Sequence, residues 1–295
     1  MMRRPFEFHA PRELGEALAL LARRGADAKL LAGGQSLVPL LNLGLAAPAH
    51  VISLNHVRGL SYIREEPGET AIGALATHRL VERSEIVRAR CPVLAEAAAL
   101  IGDAQIRNRG TIGGGVCHFD PAADYPPVLA LLDARFHVAG AGGERVIPAR
   151  DFFTGYMATA LRPDEILTEV RVPDLAPETG TAYAKFARTE GGFAVVGVAA
   201  SIALDSGRAC RSVRVVLGGV APVPVRLADI EKAKPGKKVD EGFIDEVGEA
   251  AFSAAAQPSA ELHAEAAYKR EMARVFARRA LAAALARATS GSKGV

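Results

Sequence analysis

Apolar residues recur at two spacings along the chain, and the spacing assigns most of the elements. Leu14, Ala17, Leu18 and Leu21 fall at i, i+3, i+4 and i+7, so they predict an amphipathic helix that Pro11 opens and Gly25 closes. Residues 37–43, 77–83 and 93–100 read as helices, as does an apolar stretch from Val128. Short apolar runs at 6–9, 28–32 and 51–54 predict strands, and 60–64 with 70–72 predict a hairpin about Glu66-Pro67-Gly68-Glu69. Short strands joined by helices point to an α+β domain rather than a doubly wound sheet.

Near residue 173 the pattern changes. Residues 173–180, rich in Pro, Glu and Gly, read as a linker or exposed loop. After it, 181–187, 195–204 and 212–219 predict strands, and 239–256 and 261–287 predict helices able to cover their sheet. The charged run 232–238 predicts an exposed turn.

Composition narrows the classes of function. The 295 residues suffice for two or three domains. Basic residues number 36 and acidic residues 33, and they are mixed along the chain, so the net charge of +3 marks no nucleic-acid surface. Cys91, Cys117 and Cys210 lie far apart without a CxxC pair, which argues against a disulfide framework, a zinc site or an iron–sulfur cluster and fits a reducing compartment. Residues 1–8 lack the apolar core of a signal peptide, and no run reaches the roughly eighteen apolar residues of a membrane helix. A cytoplasmic protein is therefore expected. His9, His50, His56, His78 and His118 show neither HxH nor HExxH spacing, so no metal site is expected.

Candidate chemistry lies in two glycine-rich stretches. The first, Leu31-Ala32-Gly33-Gly34-Gln35-Ser36-Leu37, stands between a predicted strand and a predicted helix, where backbone amides favour an anion. Neither the Walker pattern nor GxGxxG is present, and such a run alone is also compatible with an ordinary tight turn. The second, Gly110-Thr111-Ile112-Gly113-Gly114-Gly115, reads as another glycine turn, again with small residues and one hydroxyl. Glycines this dense are entropically unfavourable to order, and a ligand approached closely by backbone would compensate. Asp120 and Asp124 follow ahead of an apolar helix, with Asp124 the better placed to cap it.

These stretches carry a family resemblance. Ala32-Gly33-Gly34-Gln35-Ser36-Leu37 with Pro39, Ile106-Arg107-Asn108, Gly110-Thr111-Ile112-Gly113-Gly114 and Asp120-Pro121-Ala122-Ala123-Asp124 occur in the order found in the FAD-binding subunits of molybdenum hydroxylases. That family includes the flavin subunits or domains of carbon monoxide and xanthine dehydrogenases. The likeness continues through Phe153-Thr154-Gly155-Tyr156, Pro163-Asp164-Glu165-Ile166-Leu167, Ala184-Lys185-Phe186 and the helix from Tyr268 to Leu281. It therefore spans nearly the whole chain.

The resemblance implies an FAD-binding domain of the vanillyl-alcohol-oxidase (PCMH) type over residues 1–176, a smaller α+β domain over 177–288 and a tail over 289–295. It implies non-covalent FAD. Residues Leu31, Ala32, Gly33, Gly34, Gln35, Ser36 and Leu37 would wrap the pyrophosphate, and Thr111, Ile112 and the amides of Gly113, Gly114 and Gly115 would meet it from the other side. Asp124 would accept ribose hydroxyls, Ile101 and Leu167 would contact the cofactor, and Lys185 would sit by the flavin ring. Lys185 is otherwise a solvated strand lysine. Phe193 would be an aromatic gate over the flavin or, equally, strand core, and Cys117 reads as an inert thiol. Gly115 stands where the family commonly has Asn, and Gly44 where relatives often carry Arg. Molybdopterin and [2Fe-2S] clusters would reside on a large and a small partner subunit, in a dimer of heterotrimers that hands electrons to NAD, a quinone or another acceptor. The alternatives are a free-standing FAD oxidoreductase of the same fold with its own organic substrate, and a flavin-binding scaffold.

Overall fold

The computed structural model describes residues 4–255 and 264–290. The first strands and helices follow the periodicity closely. β1 (Glu7–His9), α1 (Leu14–Arg24), β2 (Ala28–Leu31), α2 (Leu37–Leu43) and β3 (His50–Ser53) make a parallel three-stranded sheet, ordered β1-β3-β2. Ala17 and Leu21 of α1 bury against Ala28, Ile52 and Leu54, a small core that holds β2 flat to its neighbour. α2 ends at Gly44, whose left-handed φ of 74° lets its amide cap the carbonyls of Leu40 and Leu41. Gly44 thus acts through its backbone.

The next unit is larger. β4 (Ile63–Glu66) and β5 (Glu69–Gly73) form the predicted hairpin, with Gly68 at φ 79° after Pro67. Helices α3 (His78–Arg83), α4 (Glu85–Arg90), α5 (Pro92–Ala99), α6 (Ala104–Arg109), α7 (Ile112–His118) and α8 (Tyr125–Leu131) follow. Then come β6 (Arg135–Gly140), β7 (Gly143–Pro148), α9 (Ala149–Phe152), the small pair β8 (Phe153–Gly155) and β9 (Ala158–Thr159), and β10 (Ile166–Pro173). The sheet is antiparallel, ordered β4-β5-β10-β6-β7, and Ile72, Leu94, Tyr125, Phe136 and Phe152 fill its core.

The predicted linker is shorter than its composition suggests. β10 includes Pro173 and the next strand, β11 (Thr179–Phe186), begins at Thr179, so residues 174–178 make the connection. β11, β12 (Val196–Leu204), β13 (Cys210–Gly218) and β14 (Val225–Arg226) form a sheet in that order. α10 (Ala228–Ala233), α11 (Glu241–Ala254) and α12 (Ala266–Ser290) complete the chain. The predicted helices 239–256 and 261–287 correspond to α11 and α12, with 256 and 261–263 outside the described residues. Part of the expected tail, 291–295, also lies outside them.

α12 lays an alanine face, Ala273, Ala277, Ala280, Ala284 and Ala288, on this sheet. The small side chains permit backbone contact: a β-carbon on Gly180 would overlap the carbonyl oxygen of Ala284. Gly180, read as linker, is therefore a packing residue. The sheet's opposite face meets α8, so Tyr183, Ala199 and Val216 belong to the same core as Phe136 and Leu94. The charged run also departs from expectation. Lys232 lies in the last turn of α10, and Lys234 is only 5 % exposed, with its ammonium paired to Glu246 and set 4.7 Å over the Phe243 ring.

Candidate functional site

The parallel ladder carries the chain from β2 straight into residues 32–36, with the Leu54 amide donating to the Leu31 carbonyl at 2.8 Å. Among the described residues, none of the amides of Ala32, Gly33, Gly34, Gln35, Ser36 and Leu37 donates to another group of the chain. The Ser36 hydroxyl makes no capping bond to α2, and the Gln35 side chain folds back on the Gly33 carbonyl at 3.2 Å. Gly34 sits at φ 76°, which only glycine adopts readily. Apart from exposed Gln35, this loop is half-buried. A run of adjacent unpaired donors in such a place is unfavourable unless an outside acceptor meets it, and anion oxygens are suited to that.

The second stretch departs from the expected turn. Gly113, Gly114 and Gly115 lie inside α7, which Thr111 caps by accepting the Gly114 amide on its hydroxyl oxygen at 3.0 Å. The Gly113 amide donates to Ala74 and that of Gly115 to Thr111, at 2.9 and 3.0 Å. The amides expected to meet a phosphate are therefore engaged within the fold. Glycine is needed here for crowding instead. A β-carbon at Gly113 would lie 2.6 Å from the Ala74 carbonyl oxygen, and one at Gly110 would lie 2.6 Å from His78 Nε2. At Gly33 it would overlap the carbonyl of Arg109, so the two stretches, some eighty residues apart, touch backbone to backbone. Thr111 keeps its hydroxyl proton to offer to a ligand.

Between the two stretches lies a cavity of about 500 Å³, within the range of cofactor pockets. Ala32, Gly33, Gly34, Gln35, Ser36, Leu37, Thr111, Gly113, Gly114, Gly115 and Leu167 are among the residues that line it. Leu31 and Ile112 do not: Leu31 ends β2 and Ile112 is fully buried in the core. Cys117, Glu165 and His78 are also part of the wall. Burial pushes the Cys117 thiol up to about 12, so it stays protonated, in keeping with its reading as inert.

Sequence reasoning missed His78. Its ring Nδ1 is 3.1 Å from the Tyr125 hydroxyl, and its backbone amide donates to Gly110 at 2.9 Å. Burial pulls its pKa down to about 4, aided by the Arg107 charge, so the ring is neutral near pH 7. Only Thr77, a helix cap immediately before it, hinted that this position opens an element beside the site.

Ile101, Asp124, Lys185 and Phe193 gather elsewhere, where the last two sheets meet. Lys185 Nζ donates to Asp124 Oδ2 and to the Leu100 carbonyl, both at 2.9 Å, while the Tyr183 hydroxyl donates to Asp124 Oδ1 at 2.8 Å. Both ionic side chains are nearly buried, at 6 % and 5 % exposed. Lys185 is thus no solvated strand lysine. Asp124 makes no side-chain cap to α8, since both its oxygens face β11. Burial raises its pKa more than Lys185 lowers it. The 2.9 Å ion pair thus sets Asp124 and Lys185 at one place rather than two. Gly191, at φ 72°, packs on the Gly102 carbonyl beside Ile101, and Phe193 projects from that loop at 62 % exposed rather than joining the strand core.

An amide cradle over a cavity of cofactor size, in a chain whose two larger sheets share one core, fits a dinucleotide-binding protein of two unequal α+β parts. Family models match both parts: residues 4–175 fit the FAD binding domain in molybdopterin dehydrogenase, and residues 181–284 fit the CO dehydrogenase flavoprotein C-terminal domain. The chain belongs to the FAD-binding medium subunits of the molybdenum hydroxylase family, with a PCMH-type domain ahead of that C-terminal domain. It is 42 % identical to the carbon monoxide dehydrogenase medium chain of Hydrogenophaga pseudoflava, over 96 % of this chain and 98 % of that one. It is 37 % identical to the 6-hydroxypseudooxynicotine dehydrogenase complex subunit alpha of Paenarthrobacter nicotinovorans, over 96 % and 95 %. A solved carbon monoxide dehydrogenase from Hydrogenophaga pseudoflava superimposes with a TM-score of 0.93, covering 97 % of this chain and 99 % of that chain. Among the described residues, no helix is long and apolar enough to cross a membrane.

Proposed function

We propose that this chain holds FAD for a heteromeric molybdenum hydroxylase, takes electrons from the [2Fe-2S] centres of a small partner subunit and passes them to NAD, a quinone or another acceptor. Bound FAD supplies the chemistry, because a flavin accepts electrons singly and releases them in pairs. The chain's own residues bind and orient it. The amides of residues 32–37 and the hydroxyls of Ser36 and Thr111 hold the pyrophosphate, and Leu167 packs on the cofactor. Lys185 supplies a positive charge near the ring, Asp124 positions that ammonium rather than a ribose, and Ile101 and Phe193 border the ring's end of the site. The observation that carries this reading is the row of unpaired amides at 32–37, clamped where Gly33 meets Arg109.

Substrate choice belongs to the large molybdopterin subunit, which agrees with the different substrates in the names of the two relatives above. A cytoplasmic dimer of heterotrimers is the assembly proposed. Purification from native expression tests the proposal: the chain should emerge with a molybdopterin and an iron–sulfur subunit, and its flavin should be reduced when the complex receives substrate. Isolation alone, FAD-loaded and fully active on a small organic substrate, would establish the free-standing oxidoreductase instead.

A further inference from the structure

Glu7 and His9 lie two apart on β1 and so share one face of the sheet, and the parallel register sets His50 of β3 beside Glu7. Their donor atoms converge. His9 Nε2 is 3.2 Å from His50 Nδ1, Glu7 Oε2 is 3.2 Å from His50 Nδ1, and Glu7 Oε1 is 3.6 Å from His9 Nε2. The two rings are mostly buried, at 13 % and 15 % exposed, whereas Glu7 is 57 % exposed and leaves an approach from solvent. Each ring can place its proton on the facing nitrogen and donate to Glu7, but the two nitrogens 3.2 Å apart then meet hydrogen to hydrogen, whereas one cation suits all three contacts. A tetrahedral ion with ligand bonds of about 2.0–2.2 Å separates its donor atoms by about 3.3–3.6 Å; the two ring nitrogens stand 3.2 Å apart, and Glu7 approaches them at 3.2 and 3.6 Å with one carboxylate oxygen each.

We propose that Glu7, His9 and His50 form a binding site for a divalent transition metal of the zinc class, with two imidazoles, one carboxylate and an open fourth position. Imidazole with carboxylate suits zinc, and also cobalt or nickel, better than it suits calcium or magnesium, which take oxygen ligands. Arg24 Nη2 stands 3.8 Å from Glu7 Oε2 and is 41 % exposed, so it can turn to solvent as the ion enters. The site is separate from the FAD cradle: His50 opens β3, whereas the cradle follows the far end of the parallel strand β2. Among the described residues β1 is an edge strand paired with β3 alone, and the metal would tie the two together. No local motif announces it, because His9 and His50 meet only through strand register.

The test uses the full-length flavin-loaded protein after chelator treatment. Calorimetric titration with zinc should give one saturable site per chain in the micromolar range, and cobalt should give four-coordinate visible bands, beyond the flavin absorption, that zinc abolishes. Zinc should raise the thermal midpoint. Glu7→Gln, exposed and harmless to folding, should weaken binding at least about tenfold, and His9→Ala with His50→Gln should abolish it. His56→Ala should bind as the parent does, and flavin content should be unaltered in all of them. No saturable uptake at micromolar zinc, or uptake undiminished in Glu7→Gln and the double variant, would overturn the proposal.

Discussion

Gly33 and Gly115 both line the cavity between the two glycine stretches, yet the structure gives them opposite tolerances. A β-carbon at Gly33 overlaps the Arg109 carbonyl, so Gly33→Val should force the two stretches apart and empty the protein of FAD, read as the flavin-to-protein absorbance ratio. At Gly115 a β-carbon would stand 3.7 Å from His78 and 3.8 Å from Tyr125, ordinary contacts. Gly115→Ala should therefore retain flavin and, as a helical position, gain about 0.5–1 kcal/mol in urea unfolding. His78 sets a pH dependence. Its folded pKa of about 4 lies below the unfolded value of 6.5, so between those values the unfolded chain binds more protons. Stability should fall as pH falls from about 6.5 to about 4, by about 3.5 kcal/mol at most, at about 1.4 kcal/mol per pKa unit. Comparing unfolding at about pH 7 and about pH 5, His78→Gln should show a shallower loss than the parent.

At the scale of elements, β11 and α12 meet through missing side chains. Gly180 has no room for a β-carbon against Ala284 and Ala288, so Gly180→Ala should destabilise the chain by about 1–3 kcal/mol, measured by urea unfolding. An outcome within experimental error of the parent would mean that α12 shifts freely on the sheet. α7 shows the converse: three glycines disfavour a helix, yet Thr111 caps it and the crowding at Ala74 excludes larger residues. Low propensity therefore made residues 113–115 read as a turn, and tertiary packing overrode it.

Across the whole molecule, the two larger sheets share one core and are further joined by the buried Asp124–Lys185 pair. Lys185→Met would leave Asp124 buried with Tyr183 as its remaining side-chain partner and should cost about 3–5 kcal/mol. Adding Asp124→Asn should recover much of that loss, and a double-mutant cycle in urea measures the coupling. Single losses that simply add would show that the pair does not join the sheets.

The strand, glycine loop and helix at 28–43 were legible in the sequence because each depends on near neighbours: apolar spacing, glycine and proline. So was the family, through motifs in fixed order, and with it the expectation that two distant glycine stretches share one ligand. Only the tertiary structure decided which atoms of that ligand site are free. It left the amides of 32–37 unpaired, engaged those of 113–115 and set Asp124 against Lys185, 61 positions away. It likewise buried Lys234 within a charged run and brought His9 to His50. Periodicity records which face of an element is buried, but not which distant group lies against it, and burial and pairing, more than residue type, set whether a glycine, lysine or histidine is structural or available to a ligand.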